Sequence, residues 1–369
     1  MPRASLFTPL EVGGVTLPNR VVVSPMCQYS ADDGCMNDWH LMHLGQLACG
    51  GPGLLMLEAT HVTREGRITH SCSGLYSEHN EAAMLRVVEF VRRITKNPIG
   101  VQIGHAGRKA STQVPWEGRE ALRPDQSPWQ TVAPSAIAHA PGWHVPRELS
   151  ISEIHGLTEA FVKSAERAKR IGFDVLELHS SHGYLLHQFL SPLSNRRTDA
   201  YGKDRMKFPL EVARAVREVW PKERALGARI SANDWVPEGL GPEDAVAYAR
   251  GLRKIGLDYV CVSSGAIAHA HIPVTPGYQV PFAEKIKKAV DIKVRAVGMI
   301  AGFEQAEEIV ASGKADMVAM ARAILDNPRW VWHAAEHFGV TIDYPSQYAR
   351  ARHDQWPGAN LRRRHEPAR

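Results

Sequence analysis

The residues of this sequence best suited to chemistry are two histidines and a tyrosine in one short segment, His179-Ser-Ser-His182-Gly-Tyr184. Imidazoles three residues apart serve as metal ligands, as a structural polar pair, or as hydrogen-bond donors to a bound molecule. The spacing alone leaves these uses open. The segment follows the apolar run Val175-Leu-Glu-Leu178, and the catalytic residues of parallel α/β barrels lie where strands end. This position favours a functional site.

The ends of the other apolar runs carry neutral hydrogen-bonding groups, glycines and one arginine, but few carboxylates. These segments are Ser24-Pro-Met-Cys27, Glu58-Ala-Thr60, Gln102-Ile-Gly-His105, Arg229-Ile-Ser231, Ser263-Ser-Gly265, Gly298-Met-Ile-Ala-Gly302 and Ala321-Arg322. The scarcity of carboxylates disfavours magnesium-dependent chemistry and glycoside hydrolysis, which depend on them. Arg229 either pairs with a carboxylate or stabilises negative charge on a bound ring. Glycines after the last two strands, before a helix near Phe303, are typical of a phosphate site.

Eight apolar runs, which we interpret as strands, position these segments. They lie near residues 21–25, 54–59, 99–103, 174–179, 226–231, 258–263, 292–297 and 315–320, with helical patterns between most of them. One such helix presents the stripe Ile154, Leu157 and Phe161 behind a capping box of Ser150 and Glu153. Eight alternations predict an α/β fold, a closed (β/α)8 TIM barrel; an open sheet of eight strands is the alternative.

Two further segments elaborate the predicted barrel. Residues 10–17 turn at Gly13-Gly14 and predict an N-terminal β-hairpin that caps the barrel floor. Residues 108–150, rich in proline and tryptophan, predict a long functional loop after the third strand. We therefore divide the chain into a barrel domain, residues 1–342, and a C-terminal arm, residues 343–369.

Composition restricts the class of protein. The chain has 369 residues, a net charge of +5 and no apolar stretch long enough to cross a bilayer. Its five cysteines are scattered without a Cys-x-x-Cys pair, which argues against a disulfide framework, a zinc ribbon or an iron–sulfur cluster. The basic run Arg362-Arg-Arg-His365 stands alone, and we interpret it as a solvated terminus. We expect no nucleic-acid partner and no membrane. Because the N-terminus lacks the apolar core of a signal peptide, we expect a cytoplasmic location.

Several of these segments resemble the old yellow enzyme family of FMN-dependent ene-reductases, especially its bacterial thermophilic-like branch, which includes the xenobiotic reductases. The similar segments are Ser24–Tyr29, Asp38–His40, Gln102–Lys109, His179–Pro192, Asn195–Tyr201, Arg229–Ser231, Gly277–Pro281 and Ser346–Arg350. They extend from the first strand to the proposed arm, and the block around His179 is the most specific. The resemblance implies a TIM barrel that holds FMN tightly without a covalent bond and is reduced by NADPH or NADH.

The resemblance also assigns residues to the cofactor. FMN would be bound by Ser24, Pro25, Met26, Cys27, Ala59, Gln102, His179, His182, Arg229, Gly298, Gly302, Ala321 and Arg322, the last four at its phosphate. Gln102 would bond to the pyrimidine edge of the flavin. Arg229 would lie near N1 and O2, where reduced flavin carries its negative charge.

The same resemblance implies a reaction, the ping-pong reduction of α,β-unsaturated carbonyls, nitroalkenes and maleimides. His179 and His182 would donate to the substrate oxygen while hydride passes from flavin N5 to the β-carbon, which stabilises the developing negative charge. Tyr184 would protonate the α-carbon, because a phenol with an ordinary pKa near 10 keeps its proton at neutral pH. Tyr29 and Cys27 would contact the substrate.

An oligomer and two departures complete the comparison with that family. In this branch a C-terminal arginine reaches into the neighbouring subunit's site, and Arg350 matches it, so we expect a homodimer or homotetramer.

The turn Tyr201-Gly-Lys-Asp-Arg205 is shorter than is usual in the family. Ala321 replaces a frequent glycine, and a backbone N–H to phosphate survives this change if φ there stays negative.

Three other functions fit parts of the pattern. A flavin barrel could work in the dehydrogenating direction, although many such relatives carry iron–sulfur cysteines that this sequence lacks. A metal-dependent hydrolase would use His105, His179 and His182 as ligands. A catalytically idle barrel would serve as a binding scaffold.

Overall fold

Residues 4–359 and residue 361 are described by a computed structural model, in which the chain folds around a parallel β-barrel. The strands are β1 (Leu10–Val12), β2 (Val15–Leu17), β3 (Val21–Val23), β4 (Leu54–His61), β5 (Ile99–Gly104), β6 (Val132–Ala133), β7 (Arg147–Glu148), β8 (Val175–Ser180), β9 (Ala225–Ser231), β10 (Tyr259–Ser263), β11 (Lys293–Val297) and β12 (Met317–Met320). Within the described part of the chain, eight strands pair in the order β3-β4-β5-β8-β9-β10-β11-β12 and close on β3. The predicted TIM barrel is confirmed. The basic run at 362–365 lies outside the described residues.

Helices cover the outside of the barrel. They are α1 (Asp38–Cys49), α2 (Glu78–Ile94), α3 (Ile151–Ile171), α4 (Leu185–Leu190), α5 (Ala200–Lys203), α6 (Lys207–Val219), α7 (Pro242–Ile255), α8 (Val280–Ala289), α9 (Phe303–Ala311), α10 (Arg322–Asp326) and α11 (Trp330–His337). The predicted capping box begins α3, since Ser150 Oγ accepts from the N–H of Glu153 and the Glu153 carboxylate accepts from the N–H of Ser150. The stripe of Ile154, Leu157 and Phe161 is buried against the barrel, as its spacing predicts.

The N-terminal hairpin caps the barrel as predicted. Strands β1 and β2 pair in antiparallel fashion, with Leu10 opposite Leu17. Leu10, Val12 and Leu17 lie in one buried cluster with Met56 and Tyr259 of the barrel strands. This cluster closes the end of the barrel at which the strands begin, and therefore leaves the opposite end to the functional residues.

The long loop after β5 and the segment after α11 lie at the edges of the barrel. The loop contains short 3-10 turns and is tied to the loop after β10, because Arg108 donates to the carbonyl of Ile267 at 2.7 Å. After α11 the chain enters a 3-10 segment, Ser346–Ala351. Tyr344 stacks on Trp332 with ring centroids 3.9 Å apart, which holds this segment to α11. Among the described helices, none has the length and apolar character needed to span a membrane.

Candidate active site

The two histidines and the tyrosine singled out from the sequence converge beside the end of β8. The ring centroids of His179 and His182 are 5.2 Å apart, and those of His179 and Tyr184 are 4.8 Å apart. The backbone turns sharply between them, with φ of 59° at His182 and 73° at Gly183. Because of this turn, the side chains of His182 and Tyr184, which follow the strand, lie next to that of His179 near its end.

Burial keeps all three groups uncharged. Desolvation, and next the positive charge of Arg229, holds the pKa of His179 and of His182 well below the ordinary value of imidazole. Burial also raises the pKa of Tyr184 well above that of a free phenol. At neutral pH the cluster therefore offers N–H and O–H donors without a net charge of its own.

Arg229 supplies a positive charge close to the pair. Its guanidinium lies 3.4 Å from the hydroxyls of Ser24 and Ser263, and its buried Nε has no hydrogen-bond partner among the described residues. No carboxylate within the described chain forms an ion pair with Arg229. The alternative that this arginine pairs with a carboxylate is therefore wrong. The Ser263 hydroxyl is also 2.8 Å from His182 Nε2. A partly buried cation without an ion-pair partner on the cavity wall fits a ligand that carries negative charge.

A cavity of about 550 Å³ opens at this end of the barrel. Cofactor pockets typically measure ~300–1,000 Å³, so the space suits a flavin mononucleotide. Seven residues predicted to bind the cofactor line it: Ser24, Pro25, His182, Arg229, Gly298, Ala321 and Arg322. Of the other described residues predicted to bind it, Met26, Cys27, Ala59, Gln102, His179 and Gly302 are not part of its wall. The size and the unpaired Arg229 together fit FMN.

Part of the cavity wall has the groups expected at a phosphate. Arg322 begins α10 and is exposed, and Gly298, with φ of 111°, lines the same cavity. Ala321 has φ of −114°, so its backbone N–H can point at an anion as that of a glycine would. The wall there includes Ala301, whereas Gly302, the N-cap of α9, is not part of it.

A second group of side chains lies next to Tyr184. Cys27 and Tyr29 pack with Tyr184 around the buried Cys72, and the indole of Trp116 meets Tyr29 edge to face at 6.0 Å. Burial raises the pKa of the Cys27 thiol well above its ordinary value, which keeps it protonated. These residues form an uncharged, partly apolar surface beside the proposed proton donor.

Gln102 lies on β5 inside the barrel and belongs to a buried polar network. Its Nε2 donates to Glu177 Oε1 at 2.8 Å, and the same carboxylate accepts from Tyr259 at 2.9 Å and pairs with Arg295. All of these side chains are buried. The network fixes the orientation of the Gln102 amide, which sequence reasoning could not foresee because its members come from four strands.

Two charged residues have clear structural partners. Glu58, the exceptional carboxylate at a strand end, is 3.0 Å from His40 Nε2 and accepts from the N–H of Gln28 at 2.9 Å. Lys109, which the sequence did not single out, donates to the carbonyls of His182 and Ala266 at 2.9 and 3.0 Å. Burial and neighbouring positive charges lower the pKa of Lys109 to about 7. Its ammonium is 5.4 Å from the ring centre of Tyr184, a contact visible only in three dimensions.

Two other predicted elements stand apart from the cavity. Arg350 lies in the 3-10 segment Ser346–Ala351 and is exposed, away from the cavity wall of its own chain. His105 has a different partner from a metal: its Nδ1 accepts from the N–H of Gly107 at 2.9 Å. In the part of the chain described, no group of three or more His, Cys, Asp or Glu side chains is arranged to hold a metal ion.

The chain is similar to known proteins along most of its length. Residues 5–339 match the NADH:flavin oxidoreductase / NADH oxidase family. The NADPH dehydrogenases of Geobacillus sp. (strain WCH70) and Bacillus subtilis (strain 168) are 43% and 40% identical to it over 350 residues, which is 94% of this chain and 98% of each relative. The structure of morphinone reductase in complex with tetrahydroNAD aligns with a TM-score of 0.73 and 28% identity over 92% of each chain.

Proposed function

Because the chain belongs to the NADH:flavin oxidoreductase / NADH oxidase family and is an NAD(P)H-dependent FMN oxidoreductase, we propose that it reduces activated carbon–carbon double bonds. The substrates are α,β-unsaturated carbonyls, nitroalkenes and maleimides. One observation carries the proposal: two neutral imidazoles and a protonated phenol lie together beside the end of β8, and one of them, His182, lines the cavity.

The residues divide the work of this reaction. When bound, FMN would supply the redox chemistry, the transfer of hydride from the nicotinamide to the β-carbon of the alkene, and Arg229, Gly298, Ala321 and Arg322 would hold it. His179 and His182 donate hydrogen bonds to the carbonyl or nitro oxygen, where negative charge develops. A donor of this type contributes about 3 kcal/mol to the transition state. Tyr184 then donates its proton to the α-carbon, and Tyr29 and Cys27 shape the surface against which the substrate lies.

The nicotinamide and the alkene use the same site in turn. Morphinone reductase, a relative in fold and sequence, has been solved with the nicotinamide analogue tetrahydroNAD. The shared fold supports a single site over the flavin ring, and a single site implies a ping-pong order. Arg229, which has no ion-pair partner in the described chain, would stabilise the negative charge of reduced flavin.

The protein acts as a homodimer or homotetramer. In this proposal the chain divides into a barrel domain, residues 1–342, and a C-terminal arm, residues 343–369, and Arg350 of the arm completes the site of the neighbouring subunit. Support comes from the exposed position of Arg350 and from the exposed apolar side chains of Tyr348, Trp356 and Leu361 around it in the chain.

The cytoplasm is the proposed compartment. All five cysteines lie within the described residues, and each of them is a free thiol. Reduced thiols are the rule in the cytoplasm, where disulfides are rare.

An anaerobic half-reaction assay tests the function. The purified protein is yellow, NADPH or NADH bleaches it, and cyclohexenone or maleimide restores the colour with formation of the saturated product. A protein that binds FMN and is bleached by NADPH, but is recoloured by none of a panel of enones, nitroalkenes and imides, would rule out the proposed substrates.

A further inference from the structure

Gly183 lies between two proposed site residues, His182 and Tyr184, and both of its backbone polar groups are bound by side chains of α4. The Gly183 N–H donates to His187 Nδ1 at 2.9 Å, and its carbonyl accepts from Gln188 Nε2 at 2.7 Å. Gly183 has φ of 73°, and a Cβ there would lie 2.3 Å from the carbonyl oxygen of Ala266. Only glycine fits this position. The peptides on both sides of Gly183 are hydrogen-bonded to side chains of α4.

The bond from Gly183 determines the protonation of His187. A backbone N–H can only donate, so Nδ1 of His187 must accept and the ring proton must lie on Nε2. Nε2 is 2.9 Å from Asp234 Oδ1, and both side chains are fully buried. The carboxylate therefore selects the tautomer that Gly183 requires.

Asp234 is itself held in its charged form. Burial alone raises the pKa of Asp234, but hydrogen bonds from His187, from the Leu240 N–H at 2.8 Å and from Ser191 Oγ at 2.7 Å outweigh it. The pKa of this carboxyl is therefore held below its ordinary value. The ionised carboxylate accepts three hydrogen bonds, which link α4 and the residue after it to the loop after β9.

We expect the segment His182–Tyr184 to move if the hydrogen bonds from α4 to Gly183 are lost. His182 has φ of 59°, a left-handed conformation that costs an ordinary residue ~1 kcal/mol or more and persists where the surroundings impose it. The side chains on either side of Gly183 project in directions set by its two peptide planes. A displacement of about 1 Å in a catalytic group lowers a rate ~100-fold.

We propose that His187 and Asp234 are positioning residues, which fix the Gly183 peptide and so aim the His182 imidazole and the Tyr184 phenol at the substrate. The proposal rests on the proposed function for the roles of His182 and Tyr184. The side chains of His187 and Asp234 are fully buried and bond to Gly183 and to each other, so both act through the loop.

We call the bonds that link Asp234, His187 and the Gly183 peptide the clamp. Three variants of the FMN-loaded enzyme test it. His187→Leu removes the acceptor, whereas His187→Gln offers an amide oxygen to Gly183 and an N–H to Asp234. Asn195→Ala is the matched control: Asn195 is buried, bonds to the carbonyls of Phe189 and Tyr201, and does not contact Gly183. The measurements are hydrogen–deuterium exchange at the Gly183 amide, and the rates of both half-reactions per bound FMN.

His187→Leu is expected to speed exchange at Gly183 about tenfold and to slow the recolouring by enone about 100-fold. His187→Gln restores both to near the wild-type values. Asn195→Ala lowers the melting temperature but changes neither measurement. Faster exchange with an unchanged half-reaction rate, or unchanged exchange, would overturn the proposal.

A second variant keeps the test decisive if His187→Leu does not fold or loses FMN. Asp234→Asn leaves the His187 ring in place but removes the charge that selects its tautomer, so the Gly183 amide should exchange faster and turnover should fall. Wild-type values of both in Asp234→Asn would refute the role of this carboxylate. If the wild-type enzyme reduces no alkene at all, the proposed substrates fail, while exchange at Gly183 and the rate of flavin reduction by NADPH still decide whether the clamp exists.

Discussion

The phenol of Tyr184 lies against His179 in surroundings that keep its proton on the oxygen, which suits it for a single task after hydride transfer. Tyr184→Phe removes that proton but leaves the imidazole pair and the cavity intact. We expect the oxidative half-reaction with cyclohexenone to slow about 100-fold or more, with little change in flavin reduction by NADPH. Anaerobic stopped-flow absorbance measures the two steps separately.

A tyrosine outside the site serves as the control for this variant. Tyr248 is buried, and its hydroxyl is 2.9 Å from Ser180 Oγ, outside the cluster of His179, His182 and Tyr184. Tyr248→Phe should leave both half-reactions at wild-type rates. Equal slowing of both steps by Tyr184→Phe would remove the proposed acid and point to general damage of the site.

The unpaired guanidinium of Arg229 predicts an electrostatic effect on the bound flavin. Arg229→Met removes a cation within reach of the ring, where it interacts with negative charge by about 2 kcal/mol at the effective dielectric of such sites. For a two-electron couple this lowers the reduction potential by on the order of 40 mV. Potentiometric titration of the purified flavoprotein measures the shift.

Arg322 separates this effect from a simple loss of cofactor. Arg322 lines the same cavity and is proposed to bind the FMN phosphate, so Arg322→Met should weaken FMN binding without shifting the potential of the FMN that stays bound. A potential in Arg229→Met equal to that of the wild type would show that the guanidinium does not act on the ring.

At the scale of single elements, the start of α3 predicts a pH-dependent contribution to stability. Glu153 accepts from the N–H of Ser150 and from Arg147, and these bonds lower the pKa of its carboxyl from 4.5 to about 2. Since the folded-state pKa is depressed, the stabilisation is complete above about pH 4.5 and is lost as the pH falls towards 2. Glu153→Gln should reduce the free energy of unfolding by about 1 kcal/mol at neutral pH.

Denaturant titrations across the acid range check this element. The difference between wild type and Glu153→Gln should shrink as the pH is lowered below about 4.5. Glu159→Gln changes the same charge on an exposed position of the same helix and should have little effect at any pH. A gap for Glu153→Gln that is constant with pH would mean that the charge of the Glu153 carboxylate does not carry the stabilisation.

At the scale of the whole molecule, the sequence predicted the barrel because its strands are buried on both faces and read as mostly apolar runs. Each predicted barrel strand lies within two residues of its observed bounds. The convergence of His179, His182 and Tyr184 was also accessible, since they share one segment at a strand end. Contacts between distant segments were not. The pairing of Ser263 with His182, and of Glu177 with Arg295, depends on register and side-chain direction across the barrel, which no local pattern records.

The position of Arg350 in the arm predicts that its role in catalysis depends on a second subunit. Arg350 is exposed, and no hydrogen bond or ion pair within the described chain holds it, so a role in catalysis requires a second subunit. Arg350→Ala alone should weaken the binding of enones and leave FMN content unchanged. Tyr184→Phe alone should be nearly inactive in alkene reduction for the reason given above.

Mixing these two variants distinguishes a shared site from a self-contained one. In a heterodimer, the subunit with an intact Tyr184 receives Arg350 from the partner that carries Tyr184→Phe, so one of its two sites is complete. Random re-assortment of equal amounts restores about a quarter of the wild-type sites, because half of the dimers are mixed. If Arg350 instead served its own chain, the mixture would show only the average of the two parent activities, since no new complete site could form. Steady-state reduction of maleimide, measured after unfolding and refolding the variants together or apart, separates these results.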